Sequence, residues 1–198
     1  MLNILLTGVG GQGTVLAAKL LAQAAQEKGW QVRTAETIGM AQRGGSVVSH
    51  VRMGNEGEEV YSPLIAKGTA DMAIAFEPAE AARVVPYLAP EGVLVTASTA
   101  IQPVTAALAK SAYRGDTMIE KLRTLFASDP ARLVVVDDGD VLGRIGNRRV
   151  LNTVLLASAL DTGRIPLGLG DLRAAIRVCV KPAFVDLNLE AIDIAIGE

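Results

Sequence analysis

The 198-residue sequence contains one cysteine, Cys179, one histidine, His50, and only 4% aromatic residues. A single thiol closes no internal disulfide and does not supply the thiolates that hold an iron–sulfur cluster. With one histidine, a zinc site is not expected either. Any redox chemistry therefore needs another polypeptide or a bound organic cofactor to carry the electrons. The formal charge is −2, no block of basic residues occurs, and the aromatics are three Tyr, three Phe and one Trp, a balance that argues against a nucleic-acid-binding surface. No apolar run approaches the roughly 20 residues needed to cross a bilayer. The N-terminal stretch Asn3–Thr7 is too short and lacks the charged flank of a signal peptide, so a cytoplasmic protein is expected.

What is abundant is aliphatic. Half of the residues are hydrophobic, mostly Ala, Val, Leu and Ile, which suits helices layered on a buried parallel sheet. Asn3–Thr7 reads as a strand ending in glycines, and Thr14–Gln26 places Val15, Leu16, Ala18, Leu21, Ala22 and Ala25 at helical spacing. Gly29 closes that helix and Gln31–Glu36 restarts an extended segment, completing a βαβ unit. Ser46–Met53 alternates with a strand's period and is expected to pair with Glu59–Tyr61 across Gly54–Gly57 as an inserted β-hairpin. Alternation of strand and helix then resumes, with strands at Asp71–Phe76, Gly92–Ala97 and Arg132–Asp137 and helices at Pro78–Leu88 and Asp116–Ala127. Closing helices are expected at Arg148–Leu160, Asp171–Val180 and Pro182–Ile196. The expected fold is a single domain over 1–198: α/β, Rossmann-like and doubly wound, with a mostly parallel sheet, an inserted hairpin and C-terminal helices.

Between the first strand and helix, Gly8, Gly10 and Gly13, with Gly11 and Gln12 among them, fit the pattern GxGxxG in the context it requires. Glycines there permit positive φ, allow close approach to the backbone, and leave the first helical N–H groups aimed at an anion. Glu36, 23 residues after Gly13, stands where an acidic residue would meet an adenosine ribose. Both a bound nucleotide and glycines that serve only strand-to-helix packing are consistent with this stretch. A self-contained dehydrogenase is disfavoured, because no proton donor such as His, Tyr or Lys accompanies a substrate anchor downstream.

The second unusual stretch runs from Glu36 to Arg52 and places Gln42 and Arg43 directly before Gly44 and Gly45. Strand alternation puts Ser46, Val48, His50 and Arg52 on one face, with Arg43 delivered by the preceding loop. An anion or a partner's carboxylates would sit against such a face; a solvated hairpin face with an ordinary histidine is the plainer alternative.

Together, Gly8-Val9-Gly10-Gly11-Gln12-Gly13, the run Gly39-Met40-Ala41-Gln42-Arg43-Gly44-Gly45-Ser46-Val47-Val48-Ser49-His50-Val51-Arg52, and Tyr61-Ser62-Pro63-Leu64-Ile65 resemble the small subunit of indolepyruvate ferredoxin oxidoreductase. More broadly they resemble the gamma subunit or domain of pyruvate and other 2-oxoacid ferredoxin oxidoreductases. The resemblance continues through Ala70–Pro78, Gly146-Asn147, Asn152 and Asn188. It implies a subunit of an enzyme that oxidatively decarboxylates a 2-oxoacid with coenzyme A, giving an acyl-CoA, carbon dioxide and reduced ferredoxin. Thiamine diphosphate, Mg and [4Fe-4S] clusters are then expected on a large partner subunit, with no cofactor, metal or catalytic residue on this chain. Gln42–Arg52 is expected to face that subunit's active site or the path of coenzyme A. A pyruvate or 2-oxoglutarate gamma subunit, a stand-alone NAD(P)-binding protein, and a homodimer of the isolated chain stay open.

Overall fold

The computed structural model describes residues 1–38, 45–101 and 114–197. Six strands form one sheet: β1 (Leu2–Val9), β2 (Gln31–Ile38), β3 (Ser46–Gly54), β4 (Ala70–Ala75), β5 (Leu88–Ala97) and β6 (Leu133–Val136). Their spatial order is β2-β3-β1-β4-β5-β6. β1, β4, β5 and β6 are parallel neighbours, whereas β3 runs antiparallel to both β1 and β2.

This topology corrects two expectations. The hairpin is β2 with β3, in register from Gln31 opposite Gly54 to Ile38 opposite Val47, and not Ser46–Met53 with Glu59–Tyr61. A strand has two hydrogen-bonding edges; β3 gives one to β2 and the other, over Leu2–Val9, to β1, so Glu59–Tyr61 has no edge left to pair with. The βαβ unit is also split, because β2 returns parallel to β1 but one strand away from it. Alternation alone does not report which neighbour a strand takes.

Helices cover both faces, as a doubly wound sheet requires. One face carries α1 (Thr14–Glu27), α5 (Leu151–Asp161), α6 (Leu169–Cys179) and α7 (Val185–Ile196); Ile4 and Leu6 of β1 pack there with Leu20, Leu21, Leu155 and Leu156. The other face carries α2 (Pro78–Val84) and α3 (Gly115–Leu125), where Leu5 meets Ala73, Leu94, Ile119 and Leu122. The period-two alternation of β1 thus supplies both layers from consecutive residues. α4 (Asp138–Ile145) follows β6 directly. The expected helix Pro78–Leu88 stops at Val84 because Pro86 has no N–H to donate to the preceding turn; Val85–Tyr87 forms a 3₁₀ turn and β5 begins at Leu88. Similar 3₁₀ turns at Arg148–Val150 and Pro182–Phe184 precede α5 and α7. Among the described residues, no helix is long and apolar enough to cross a membrane.

Candidate functional site

The turn between β1 and α1 is locked by its own side chain. Gln12 Oε1 accepts from Val9 N–H at 2.6 Å, while Nε2 donates to the Phe76 carbonyl at 2.9 Å, so one amide ties the turn to the end of β4. Gly8 has no room for a side chain: a Cβ there would lie 2.8 Å from Gln12 Oε1 and 2.9 Å from Phe76 Cβ. Gly11 and Gly13 have φ of 103° and 88°, the left-handed region that glycine enters without strain. Gly10 N–H donates to the Gly45 carbonyl at 3.0 Å, so the turn grips the base of β3. No side chain caps α1, which leaves the N–H groups of its first turn directed outward as an anion seat.

That seat opens into a cleft of about 340 Å³. Its wall draws Gly11 and Gly13 from the turn, Phe76 from beyond β4, Thr99 from beyond β5 and Asp138 from the start of α4. The cleft therefore lies at the carboxyl ends of the parallel strands, where open α/β sheets hold ligands. Asp138, 1% exposed, is a structural carboxylate: its Oδ1 accepts from Ser98 N–H (2.9 Å), Ser98 Oγ (3.2 Å) and Thr99 N–H (2.8 Å). The opposite wall is cationic. Gly146 ends α4 at φ 72°, Asn147 Oδ1 accepts from Arg149 N–H at 3.0 Å, and the resulting turn brings Arg148 and Arg149 to the cleft. Beside them Asn152 is 2% exposed, lies against Gly13, and its Oδ1 has no hydrogen-bond partner among the described residues.

A buried carboxylate secures the neighbouring junction. Glu80, 3% exposed, accepts from Thr7 Oγ1 (3.1 Å) and Ser46 Oγ (2.5 Å) through Oε2 and from Arg83 Nη1 (2.7 Å) through Oε1. The ends of β1, β3 and α2 meet on this one group. Glu77, the N-cap of α2, accepts from Glu80 N–H at 2.9 Å.

The residues marked in the sequence divide sharply. Gly8, Gly10, Gly11, Gln12 and Gly13 form the turn, and Gly45 joins it through Gly10. Gln42, Arg43 and Gly44 lie outside the described residues. Glu36 is exposed on β2, opposite Ser49, two strands or about 10 Å to the side of β1; the intervening β3 takes the place of the neighbouring strand from which an acidic residue would reach a ribose. Arg52 pairs in register with Asn3, at the far end of β1 from the glycine turn, and its guanidinium donates to Asn3 Oδ1 (2.9 Å) and the Ser62 carbonyl (2.8 Å). His50 is 5% exposed; Nδ1 accepts from Ile65 N–H at 3.2 Å and the Tyr87 ring stands edge-on at 6.5 Å. His50 and Arg52 thus clip the segment that follows β3 instead of presenting an anion site. Arg148 and Arg149 escaped the sequence reading, although a glycine, a capping asparagine and two adjacent arginines are a visible signal.

Burial pushes the His50 pKa below its ordinary 6.5. Protonation is therefore easier in the unfolded chain, so the stability His50 contributes is present above pH 6.5 and is lost as pH falls below it toward the lowered folded value. Thermal unfolding between pH 7.5 and pH 5 is expected to show this loss, and His50→Asn, which keeps an acceptor near Nδ1 but does not titrate, to reduce it; an unchanged pH profile would refute the assignment.

An open, mostly parallel sheet with a glycine turn and an arginine-lined cleft at its carboxyl edge defines a doubly wound α/β domain. Residues 3–198 match the pyruvate ferredoxin/flavodoxin oxidoreductase family, and the chain belongs to that family. It is similar to indolepyruvate oxidoreductase subunit IorB of Archaeoglobus fulgidus, with 39% identity over 96% of this chain and 92% of that protein. It is likewise similar to subunit IorB of Thermococcus kodakarensis, 34% identical over 98% of this chain and 94% of the relative. Among solved structures, the keto/oxoacid ferredoxin oxidoreductase gamma subunit of Geobacter sulfurreducens PCA shares the fold, with a TM-score of 0.68, 22% identity, and coverage of 100% of this chain and 97% of that one.

Proposed function

We propose that this chain is the small subunit of a 2-oxoacid ferredoxin oxidoreductase of the indolepyruvate or arylpyruvate type, and that its cleft receives the phosphate-bearing end of coenzyme A. The observation that carries the ligand reading is the convergence of an uncapped 14-residue helix, Arg148 and Arg149 on one cavity. Helix terminus and guanidinium groups both favour phosphate oxygens. The near-full-length similarity to IorB subunits supports the choice of reaction.

With one cysteine, this chain's donor set does not fit an iron–sulfur cluster. Thiamine diphosphate, Mg and the [4Fe-4S] clusters are therefore assigned to a large partner subunit, which breaks the carboxyl carbon–carbon bond and passes the electron pair to ferredoxin. The acyl group leaves on the coenzyme A sulfur. The small subunit completes the site and binds and orients the thiol donor, a division in which cofactors carry the chemistry and protein surfaces position it. A stand-alone NAD(P)-binding role is disfavoured by the displacement of Glu36.

The test is reconstitution. The purified chain is expected to give no viologen reduction alone, and turnover dependent on 2-oxoacid and coenzyme A once its cognate large subunit is added. Turnover by the isolated chain, or full activity of the large subunit without it, would overturn the proposal.

A further inference from the structure

Next to the cleft lies a second cavity of about 380 Å³. Leu16, Arg149 and Asn152 border both. The rest of its wall is mainly apolar, from Val150, Val180, Phe184 and Leu187. Asn188 beneath it is fully engaged, accepting from Thr153 Oγ1 at 2.5 Å and donating to the Phe184 carbonyl at 2.7 Å, whereas the buried Asn152 Oδ1 is left without a donor.

The surface around the cavity is apolar as well. Val178, next to the cavity residue Cys179, is 62% exposed; Phe184, on its wall, is 42% exposed; and Val15, in the first turn of α1 beside Leu16, is 49% exposed. Large side chains left in water in one contiguous region mark an interaction surface. Four cations stand near it, Arg148, Arg149, Arg177 and Lys181, and none has an acidic partner among the described residues.

We propose that this face, formed by the start of α1, the end of α6 and the Pro182–Phe184 turn, is the docking surface for the large subunit. The occupant is an apolar anchor side chain that carries an N–H for Asn152 Oδ1, flanked by carboxylates that meet Arg177 and Lys181 and leave Arg148 and Arg149 to the cleft. An anchor in a desolvated pocket inside a polar rim is the arrangement that concentrates binding energy, and charge complementarity selects an acidic partner over a second copy of this cationic face. The assignment rests on the subunit reading above, and it places the anion cleft at the subunit boundary.

The experiment measures assembly, separately from turnover. Val178→Asp combined with Phe184→Asp, at exposed positions, is expected to leave the chain folded by circular dichroism and to weaken association with the cognate large subunit by about 30-fold, the loss of one anchor. Tyr61→Asp with Leu64→Asp, at the exposed apolar patch beyond β3, is expected to leave association unchanged. On the unsubstituted proteins, Cys179 alkylation, read by mass spectrometry of the small chain, is expected to slow on complex formation. Wild-type affinity of the first pair together with an unchanged Cys179 rate would overturn the proposal, as would loss of assembly in the second pair alone. Loss of self-association in the first pair with the hetero-complex intact would instead assign the face to a second copy. If the unsubstituted chains do not associate at all, it is the subunit reading that fails.

Discussion

Replacing Glu80 with Ala is expected to lower the unfolding free energy by about 2–4 kcal/mol, measured by urea denaturation near neutral pH. The magnitude follows from what the carboxylate leaves behind. Thr7 is fully buried, and its hydroxyl would lose its acceptor, which costs about 1–3 kcal/mol; the half-buried Ser46 hydroxyl loses the same acceptor at a smaller cost. Arg83 adds little, because its side chain is 63% exposed and returns to water. Glu80→Gln retains an acceptor oxygen and is expected to recover part of the loss. A Glu80→Ala protein as stable as the parent would show that the hub bears no stress.

Arg148→Ala and Arg149→Ala are each expected to raise the KM for coenzyme A about tenfold in the reconstituted enzyme, and roughly a hundredfold together if the two act independently. The single effects fall at the low end for charge-assisted hydrogen bonds because both guanidinium groups are exposed. The KM for the 2-oxoacid and the rate at saturating coenzyme A are expected to stay near those of the parent, because the arginines line the cleft proposed for the phosphate end of coenzyme A, away from its thiol. Added salt is expected to reproduce part of the effect by screening. Unchanged coenzyme A kinetics in the double variant would remove the cleft from the reaction path.

The parts of this molecule governed by local pattern were legible in the sequence. The strand, glycine turn and helix at residues 2–27 follow from short-range periodicity and from the φ values that only glycine adopts cheaply, and the Val-rich strand at 133–136 follows from composition, although as the edge strand it buries only Val136. What was illegible depends on partners distant in the chain. Ser46–Gly54 was readable as a strand, but its insertion between β1 and β2 was not, and that insertion moved Glu36 away from the turn. His50 and Arg52 looked like surface chemistry because alternation shows which residues share a face and not which segment later covers it; residues 62–65 cover this one. Gln12 lines the cleft, but its amide also ties the turn to Val9 and Phe76, a contact that depends on the distant end of β4.

The insertion of β3 also bears on how the domain assembles. β2 and β3 are sequence neighbours and pair locally, whereas β1 meets β3 across some forty residues, so the two-stranded ribbon is the natural early unit and its docking on β1 the slower, longer-range step. The stretch joining the ribbon's arms contains Gln42 and Arg43. A substitution there must still let the ribbon close in the register that delivers Gly45 to Gly10. Substitutions in this stretch are expected to slow folding before they lower the stability of the finished sheet, a change visible in refolding rates.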